Sequence, residues 1–323
     1  MRRRSLLALP GLAMPFLANG AAWGQGWKPP APLRYVVPFP PGSSFDMVAR
    51  IVTDGAAPRL GQNIVVENRP GAGTLVAVQA VKVMPPDGQT VVMVANSFTV
   101  NPTLHKPKPY DPLMDFDPLA LLVEMPHVMV CHPDVARDFA AFVAKARQPG
   151  AGLSFGSNGQ GTSQHMGMEQ FKLLAGLNAQ HVPYRGTPPM MTDLYAARLD
   201  YTLANLPDVL PGIHDNRLVP LGIVARQRHK LLPDVPTFAE LGFGQMVSDS
   251  WYGLVMPAGA KPEVRAALTD AVIGSLARPE ARARLEENGL DILAKGPAEL
   301  TERIKRDTAV YAEVVRAANL TPG

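Results

Sequence analysis

Cysteine is almost missing from this 323-residue chain. Cys131 stands alone, so no internal disulfide can form and the fold rests on packing. It ends the apolar run Val128-Met129-Val130-Cys131, the setting of a buried small hydrophobe and not of a reactive thiol. Metal-binding spacings are absent too. The seven histidines (His105, His127, His132, His165, His181, His214 and His229) show no H-E-x-x-H, and there is no C-x-x-C. No metal and no cofactor are expected. Aromatic residues make up only 7%. No apolar run reaches the length of about 18 residues that a membrane-spanning helix needs, and no repeat, heptad array or low-complexity tract stands out. What is present is an ordinary hydrophobic share of 46%, enough for about two domains, each with a core.

The excess of positive charge is also lacking once the N-terminus is set aside. Arg2-Arg3-Arg4 precedes a broken apolar stretch, Ser5 to Leu17, and Ala22-Trp23-Gly24 offers small residues for cleavage before Gln25. Residues 1–24 therefore read as an export signal and not a membrane anchor. Arg3-Arg4-Ser5-Leu6-Leu7 also fits a twin-arginine signal, so either the Sec or the twin-arginine route is open. That segment holds three arginines and no acids, so its removal brings the 31 basic residues to 28, equal to the 28 acidic ones. A basic face for nucleic acid loses its support.

Apolar strands then alternate with helical periodicity. Leu33 to Phe39, Asn63 to Glu67 and Thr90 to Ala95 read as strands, and helices follow Ser43 and Thr74. Ser43-x-x-Asp46 is a capping-box pattern. Pro58 and Gly61 are expected to limit the first helix, and most of the 33 prolines to punctuate loops. The same grammar restarts with Val128 to Cys131, Leu153 to Phe155, His181 to Tyr184, Tyr201 to Ala204 and Leu221 to Ala225. One more strand, Tyr252 to Met256, precedes two long amphipathic helices. Strand–helix alternation of this kind indicates an α/β fold in two lobes, each a mainly parallel sheet flanked by helices.

Two loops carry the functional signal. Gly156-Ser157-Asn158-Gly159-Gln160-Gly161-Thr162-Ser163 links a short strand to a long helix, and Pro40-Pro41-Gly42-Ser43-Ser44 repeats the design. Free N–H groups at such helix starts attract anions. The first has the spacing of a phosphate loop, but Thr162-Ser163 stands where that loop carries Lys-Ser or Lys-Thr, which argues against nucleoside triphosphates. Asn96 and Ser97 end a buried strand, where open α/β sheets gather ligands. His165 follows the Gly156 to Ser163 loop. Arg185 is placed to clamp a carboxylate or to form a surface ion pair. Asp46 reads as a helix cap before it reads as an acid. Gly152-Leu153-Ser154-Phe155-Gly156 matches the nucleophile elbow G-x-S-x-G, yet Ser154 falls within the strand and not on the turn after it.

Taken in order, these motifs resemble the Bug family, the extracytoplasmic solute-binding proteins of tripartite tricarboxylate transporters. The resemblance is carried by Val37-Pro38-Phe39-Pro40-Pro41-Gly42 with Asp46 and Arg50, and by Val66-Glu67-Asn68-Arg69-Pro70-Gly71-Ala72-Gly73. Pro86-Asp87-Gly88, the Gly156 to His165 run and Val182-Pro183-Tyr184-Arg185-Gly186 continue it. Leu232-Pro233-Asp234-Val235-Pro236-Thr237, Glu240 with Gly242, and Trp251-Tyr252-Gly253-Leu254 complete it. The resemblance implies a two-lobed periplasmic-binding-protein fold of type II. Lobe 1 would comprise 33–128 and 251–323, and lobe 2 129–250, with crossings near 129 and 250. It implies a periplasmic monomer, without catalysis, that holds a small organic acid for membrane transporter subunits, by loop amides, hydroxyls and waters and typically without a salt bridge. Carried over by motif, the ligand-binding residues are Phe39, Gly42, Ser43, Ser44 and Asp46 on the first loop. On the second they are Ser157, Gly161, Thr162, Ser163 and His165. Tyr184, Arg185 and Gly186 flank the cleft, Asn205 and Asp208 lie toward the distal end of the ligand, and Asn96 and Ser97 close the list of candidates. Gly42-Ser43 replaces a usual pair of glycines, Phe45 a smaller residue and Ala197 a frequent glycine. The alternatives are a secreted serine hydrolase built on Ser154, and a sensor that presents its ligand to a signalling partner.

Overall fold

The computed structural model describes residues 27–246, 248–317 and 320–321; the expected export segment, 1–24, lies outside the described residues. The chain opens with β1 (Leu33–Val37), α1 (Ser44–Leu60), β2 (Ile64–Asn68), a 3-10 turn (Ala72–Thr74), α2 (Leu75–Lys82), β3 (Thr90–Val94) and α3 (Ser97–Leu104). A long strand, β4 (Phe116–Cys131), leads to α4 (Phe139–Ala146), β5 (Ser154–Ser157), α5 (Ser163–Ala175), β6 (Gln180–Pro183) and α6 (Thr187–Tyr195). Then come β7 (Tyr201–Asn205), α7 (Leu206–His214), β8 (Val219–Val224) and β9 (Asp249–Pro257). The chain finishes with α8 (Pro262–Leu276), α9 (Pro279–Glu287), β10 (Asp291–Lys295) and α10 (Pro297–Ala317). Among the described residues no helix is long and apolar enough to cross a membrane.

Hydrogen bonding sorts the strands into two lobes. In the first, β2, β1 and β3 run parallel, and β9, β4 and β10 continue the sheet antiparallel. In the second, β6, β5 and β7 run parallel, with β4 antiparallel between β7 and β8. The outer arms are therefore the parallel α/β arrangement, and each sheet becomes mixed where the connecting strands run against it. β4 serves both: through Pro126 it pairs with β9, and from His127 with β7 and β8. Strands such as Thr90–Val94 are buried at every residue, because helices cover both sides of the sheet. One face of the first lobe packs Val48, Ile51 and Val52 of α1 against Leu268 and Val272 of α8. The other places Val78 and Val81 of α2 with Leu300 and Ile304 of α10.

Proline did more than punctuate. Pro58, Pro102 and Pro211 lie inside α1, α3 and α7, and Pro207 lies in the first turn of α7. A proline in a first turn costs nothing, since its missing N–H has no partner there anyway. Gly61, with φ 65°, caps α1 instead. In β4, Pro118 falls at a shift of register and Pro126 at the change of partners, positions where a strand can spare a donor.

The connecting strands are tied to α10 by a buried ion network. Arg303 donates to Asp307 at 2.9 Å, to Glu124 of β4 at 3.4 Å and to Asp249 of β9, while the Trp251 indole N–H reaches Asp307 at 2.7 Å. Both strands that join the lobes are thus fixed to one helix. Replacing Arg303 by Met removes the buried cation of this network, leaving Asp307 only the exposed Arg306, and is expected to cost about 3 kcal/mol of unfolding free energy. The exposed Lys305→Met control, whose partner Glu302 is exposed as well, is expected to change it by less than about 0.5 kcal/mol. Urea unfolding of both variants measures the difference.

Candidate functional site

The lobes face each other through loops that begin helices. Ser43 caps α1, its hydroxyl accepting from Asp46 N–H at 3.4 Å and donating to Pro40 O at 3.0 Å. The Asp46 carboxylate closes the same turn by accepting from Gly42 N–H at 3.3 Å. It also accepts from Arg50 at 2.9 and 3.1 Å and from Asn68 at 3.1 Å. Burial alone pushes Asp46 up, but these donors outweigh it and hold its pKa below the usual carboxylate value. Its oxygens are spent on holding the first loop in shape.

Ser44, the next residue, reaches across the cleft. Its N–H donates to Asp208 Oδ1 at 2.9 Å and its hydroxyl to Asp208 Oδ2 at 3.1 Å. Tyr252 OH lies 2.7 Å from the same hydroxyl, and Asn205 Nδ2 donates to both, at 3.2 and 2.8 Å. Thr187 Oγ1 donates to Asp208 Oδ2 at 3.3 Å and accepts from Asn158 Nδ2 at 3.0 Å. Gln164, near the start of α5, donates to Asn205 Oδ1 at 3.4 Å. A polar chain thus runs from α5 through Asn205 to the N-terminus of α1, with a carboxylate seated on that N-terminus. Asp208 has only neutral partners. Burial is the largest influence on it and raises its pKa to about 6, against the pull of the Ser44, Thr187 and Asn205 donors.

Other expected residues turn inward. Asn96 donates to Tyr311 OH at 3.1 Å and accepts from Trp251 N–H at 3.4 Å, bracing α10. Ser97 pairs with Thr74 at 3.0 Å. Ser157 meets His181 Nε2 at 2.7 Å, Thr162 donates to Gly159 O at 2.7 Å, and Ser163 lies 3.3 Å from His127 Nε2. His165 accepts from Gly161 N–H at 3.3 Å and stacks on His181, with ring centroids 4.1 Å apart. Burial lowers the pKa of His127 and of His165 to about 4 and that of His181 to about 3, so all three are neutral near pH 7. These rings stiffen the second loop from behind. Ser154 gives its N–H and hydroxyl to Asp200 at 2.7 and 2.9 Å, with no histidine among those partners. Among the described residues no cluster of acids, histidines and cysteines is placed to hold a metal.

Beside the polar chain is a cavity of about 270 Å³. Phe39, the 71–74 loop and His105 form its first-lobe side, and Asn158 to Gln160 with Tyr184 and Arg185 its second-lobe side. Tyr184 is fixed by donating to Asp193 at 2.9 Å. Phe39 packs tilted against Phe45 with ring centroids 4.2 Å apart, and Phe45 likewise against Tyr252 at 3.8 Å. The large Phe45 thus links Phe39 of the cavity wall to Tyr252 of the polar chain. The 71–74 loop was not foreseen as part of the site. Its backbone runs through positive φ at Gly71, Ala72, Gly73 and Thr74 (140°, 46°, 55° and 81°). That is unusual for a β-branched threonine and typical of functional loops. Asn101 anchors it by donating to Gly73 O at 2.9 Å. The sequence signal available was Gly71-Ala72-Gly73. Asn158, Thr187 and Tyr252 were also missed, because single polar residues carry no local pattern.

The lobes touch where side chains are absent. A Cβ on Gly73 would lie 2.2 Å from Gln160 O of the opposite lobe, and one on Gly186 would lie 2.4 Å from Pro40 Cδ. Since the folded pKa of Asp208 lies above that of a free carboxyl, its stabilising contribution is complete below about pH 4 and is lost as pH rises through about 6. Relative to Asp208→Asn, the wild-type protein is expected to lose about 2 kcal/mol between pH 4 and pH 7. Urea unfolding at a series of pH values checks this, and a flat difference contradicts it.

Comparisons with known proteins bear on this geometry. The family described as "Tripartite tricarboxylate transporter family receptor" matches residues 48–320. The chain is 31% identical to Protein BugT of Bordetella pertussis over 267 residues, 82% of each chain. It resembles a solved R. palustris protein with adipate at a TM-score of 0.87, with 27% identity, covering 91% of this chain and 99% of the other. MatC from Rhodopseudomonas palustris with bound malate gives a TM-score of 0.85 and 28% identity, covering 89% and 99%.

Proposed function

Because the chain belongs to the tripartite tricarboxylate transporter receptor family, we propose that it is an extracytoplasmic receptor which closes its two lobes on a small organic carboxylate. The ligand is then passed to the membrane subunits of a tripartite transporter. Residues 1–24 act as the export signal, by the Sec or the twin-arginine route. Lobe 1 takes 33–128 and 251–323, lobe 2 takes 129–250, and the protein works as a monomer without catalysis. The adipate and malate seen with relatives support an acid ligand.

One observation carries this reading: the protein already holds a carboxylate across its cleft with a helix N-terminal N–H and neutral side-chain donors alone. Hydrogen bonds to a charged group contribute on the order of 1.5–3 kcal/mol each. A micromolar complex needs about 8 kcal/mol, so four or five such bonds suffice after ordering costs. A cavity of about 270 Å³ suits a ligand of few atoms. Phe39, Gly42, Ser43, Ser44, Asn96, Ser97, Ser157, Gly161, Thr162, Ser163, His165, Tyr184, Arg185, Gly186, Asn205 and Asp208 shape the site directly or by holding its loops, and Asp46 fixes the first loop. The hydrolase reading has less support, because Ser154 is bound to Asp200.

Closure is the step that traps the ligand. Gly73→Ala adds a methyl that meets Gln160 O only when the lobes are shut. This variant is expected to fold and to lose most of the ligand-induced rise in thermal midpoint that wild type shows in a screen of carboxylic acids. A rise equal to that of wild type counts against capture by closure.

A further inference from the structure

One carboxylate is enclosed between the lobes without a cation. Asp208, of the second lobe, turns its side chain into the interface. There Oδ1 accepts from the Ser44 N–H at 2.9 Å, and Oδ2 from the Ser44 hydroxyl at 3.1 Å and the Thr187 hydroxyl at 3.3 Å. The Asn205 amide is a further neutral donor. Among the described residues Asp208 has no ion pair.

The groups around it come from four elements: Ser44 from α1, Thr187 from α6, Asn205 from β7 and Tyr252 from β9. Tyr252 is the one ionisable group among them. Burial, with the Asp208 charge, raises its pKa well above that of a free phenol, so it stays neutral. Asp46 and Arg50, the charged residues of the first two turns of α1, are paired with each other at 2.9 Å.

Parting the lobes undoes this enclosure. Ser44 and Tyr252 belong to the first lobe, and Thr187 and Asn205 to the second with Asp208. An open cleft removes both Ser44 donors and admits water, which solvates a charge better than a few neutral groups do. The proton affinity of Asp208 therefore differs between the two states. Shut in, its pKa is raised to about 6, with burial the largest cause. In water a free aspartate lies near about 4.

We propose that closure of the lobes is proton-linked through Asp208, so that the cleft shuts more firmly in acid and loosens as its surroundings turn neutral. The extra stability of the closed form is complete below about pH 4 and is lost as pH rises through about 6. The link presupposes the two-lobe closure proposed above and adds a condition to it.

The Ser44 N–H reports the contact directly. It lies in the first turn of α1, where no helix carbonyl is available to it, so its protection from hydrogen exchange depends on Asp208. Exchange at this amide is measured in the mature protein without added acid, at pH 4.5 and pH 7.5, and corrected for the intrinsic effect of pH. Wild-type protection is expected to fall about tenfold or more between the two. Asp208→Asn, which keeps an acceptor for the N–H but cannot ionise, is expected to show no such fall. His105 on the cavity wall and His229 against Gly289 have pKa values lowered by burial and act with the opposite sign. Both are present in either protein, so the difference isolates Asp208. Gly73→Ala, which wedges the lobes at Gln160 O, is expected to lower protection at both pH values. With the wedge effective, an equal fall in wild type and Asp208→Asn, or none in either, overturns the proton link and leaves closure standing. A Gly73→Ala variant whose Ser44 amide is as protected as in wild type shows lobes that do not part, and overturns both.

Discussion

Holding an anion in a buried cleft without a cation is the constraint on which the rest of this structure depends. Water must be replaced by donors that are already aimed, because a donor that has to be reoriented loses much of its worth. The fold supplies them at the ends of helices that start where strands end. The Asp208 carboxylate, on the Ser44 N–H at 2.9 Å, shows the arrangement within the protein itself. Its raised pKa reflects the cost of burial, which the neutral donors offset only in part.

Precise placement of the donors requires the loops to be stiff while the lobes remain able to part. Stiffness comes from groups behind the loops: Asp46 between Arg50 and Asn68, the stacked rings of His165 and His181, and Asn101 on Gly73 O. Freedom to part comes from the connections. The lobes are joined by β4 and by the chain leading into β9, both held to α10 by Arg303. Glycines at the contact let the two surfaces meet at main-chain distance. Ligand release needs only a few interlobe hydrogen bonds to break, which suits a carrier better than a buried salt bridge would.

Much of this was legible in the sequence, for identifiable reasons. The alternation of β-branched runs with helical spacing gave β1, β2, β3 and β5 to within a residue or two at most ends. The Ser43-x-x-Asp46 cap appears as a hydrogen bond to Asp46 N–H. The ordered motifs named the family before any coordinates did, and the family profile covers 48–320. The losses came from two sources. Prolines in α3, α7 and the first part of β4 masked regular elements, because a proline's meaning depends on whether its position needs a donor. In the site, residues far apart in the chain meet: Ser44 and Asp208 are 164 positions apart and Ser44 and Tyr252 are 208. Local patterns located both loops and not the partners that complete them. Thr162 and Ser163 looked like ligand hydroxyls, but their hydroxyls face Gly159 O and His127.

The central claim is that the ligand's carboxylate is held by main-chain and neutral donors, with Arg185 at the cavity wall contributing little. Calorimetric titration of Arg185→Gln with the acid that binds wild type most tightly tests it most directly. An affinity within about fivefold of wild type, equivalent to under about 1 kcal/mol, is the predicted result. A loss of a hundredfold or more would show that a fixed cation carries the binding and would contradict the account.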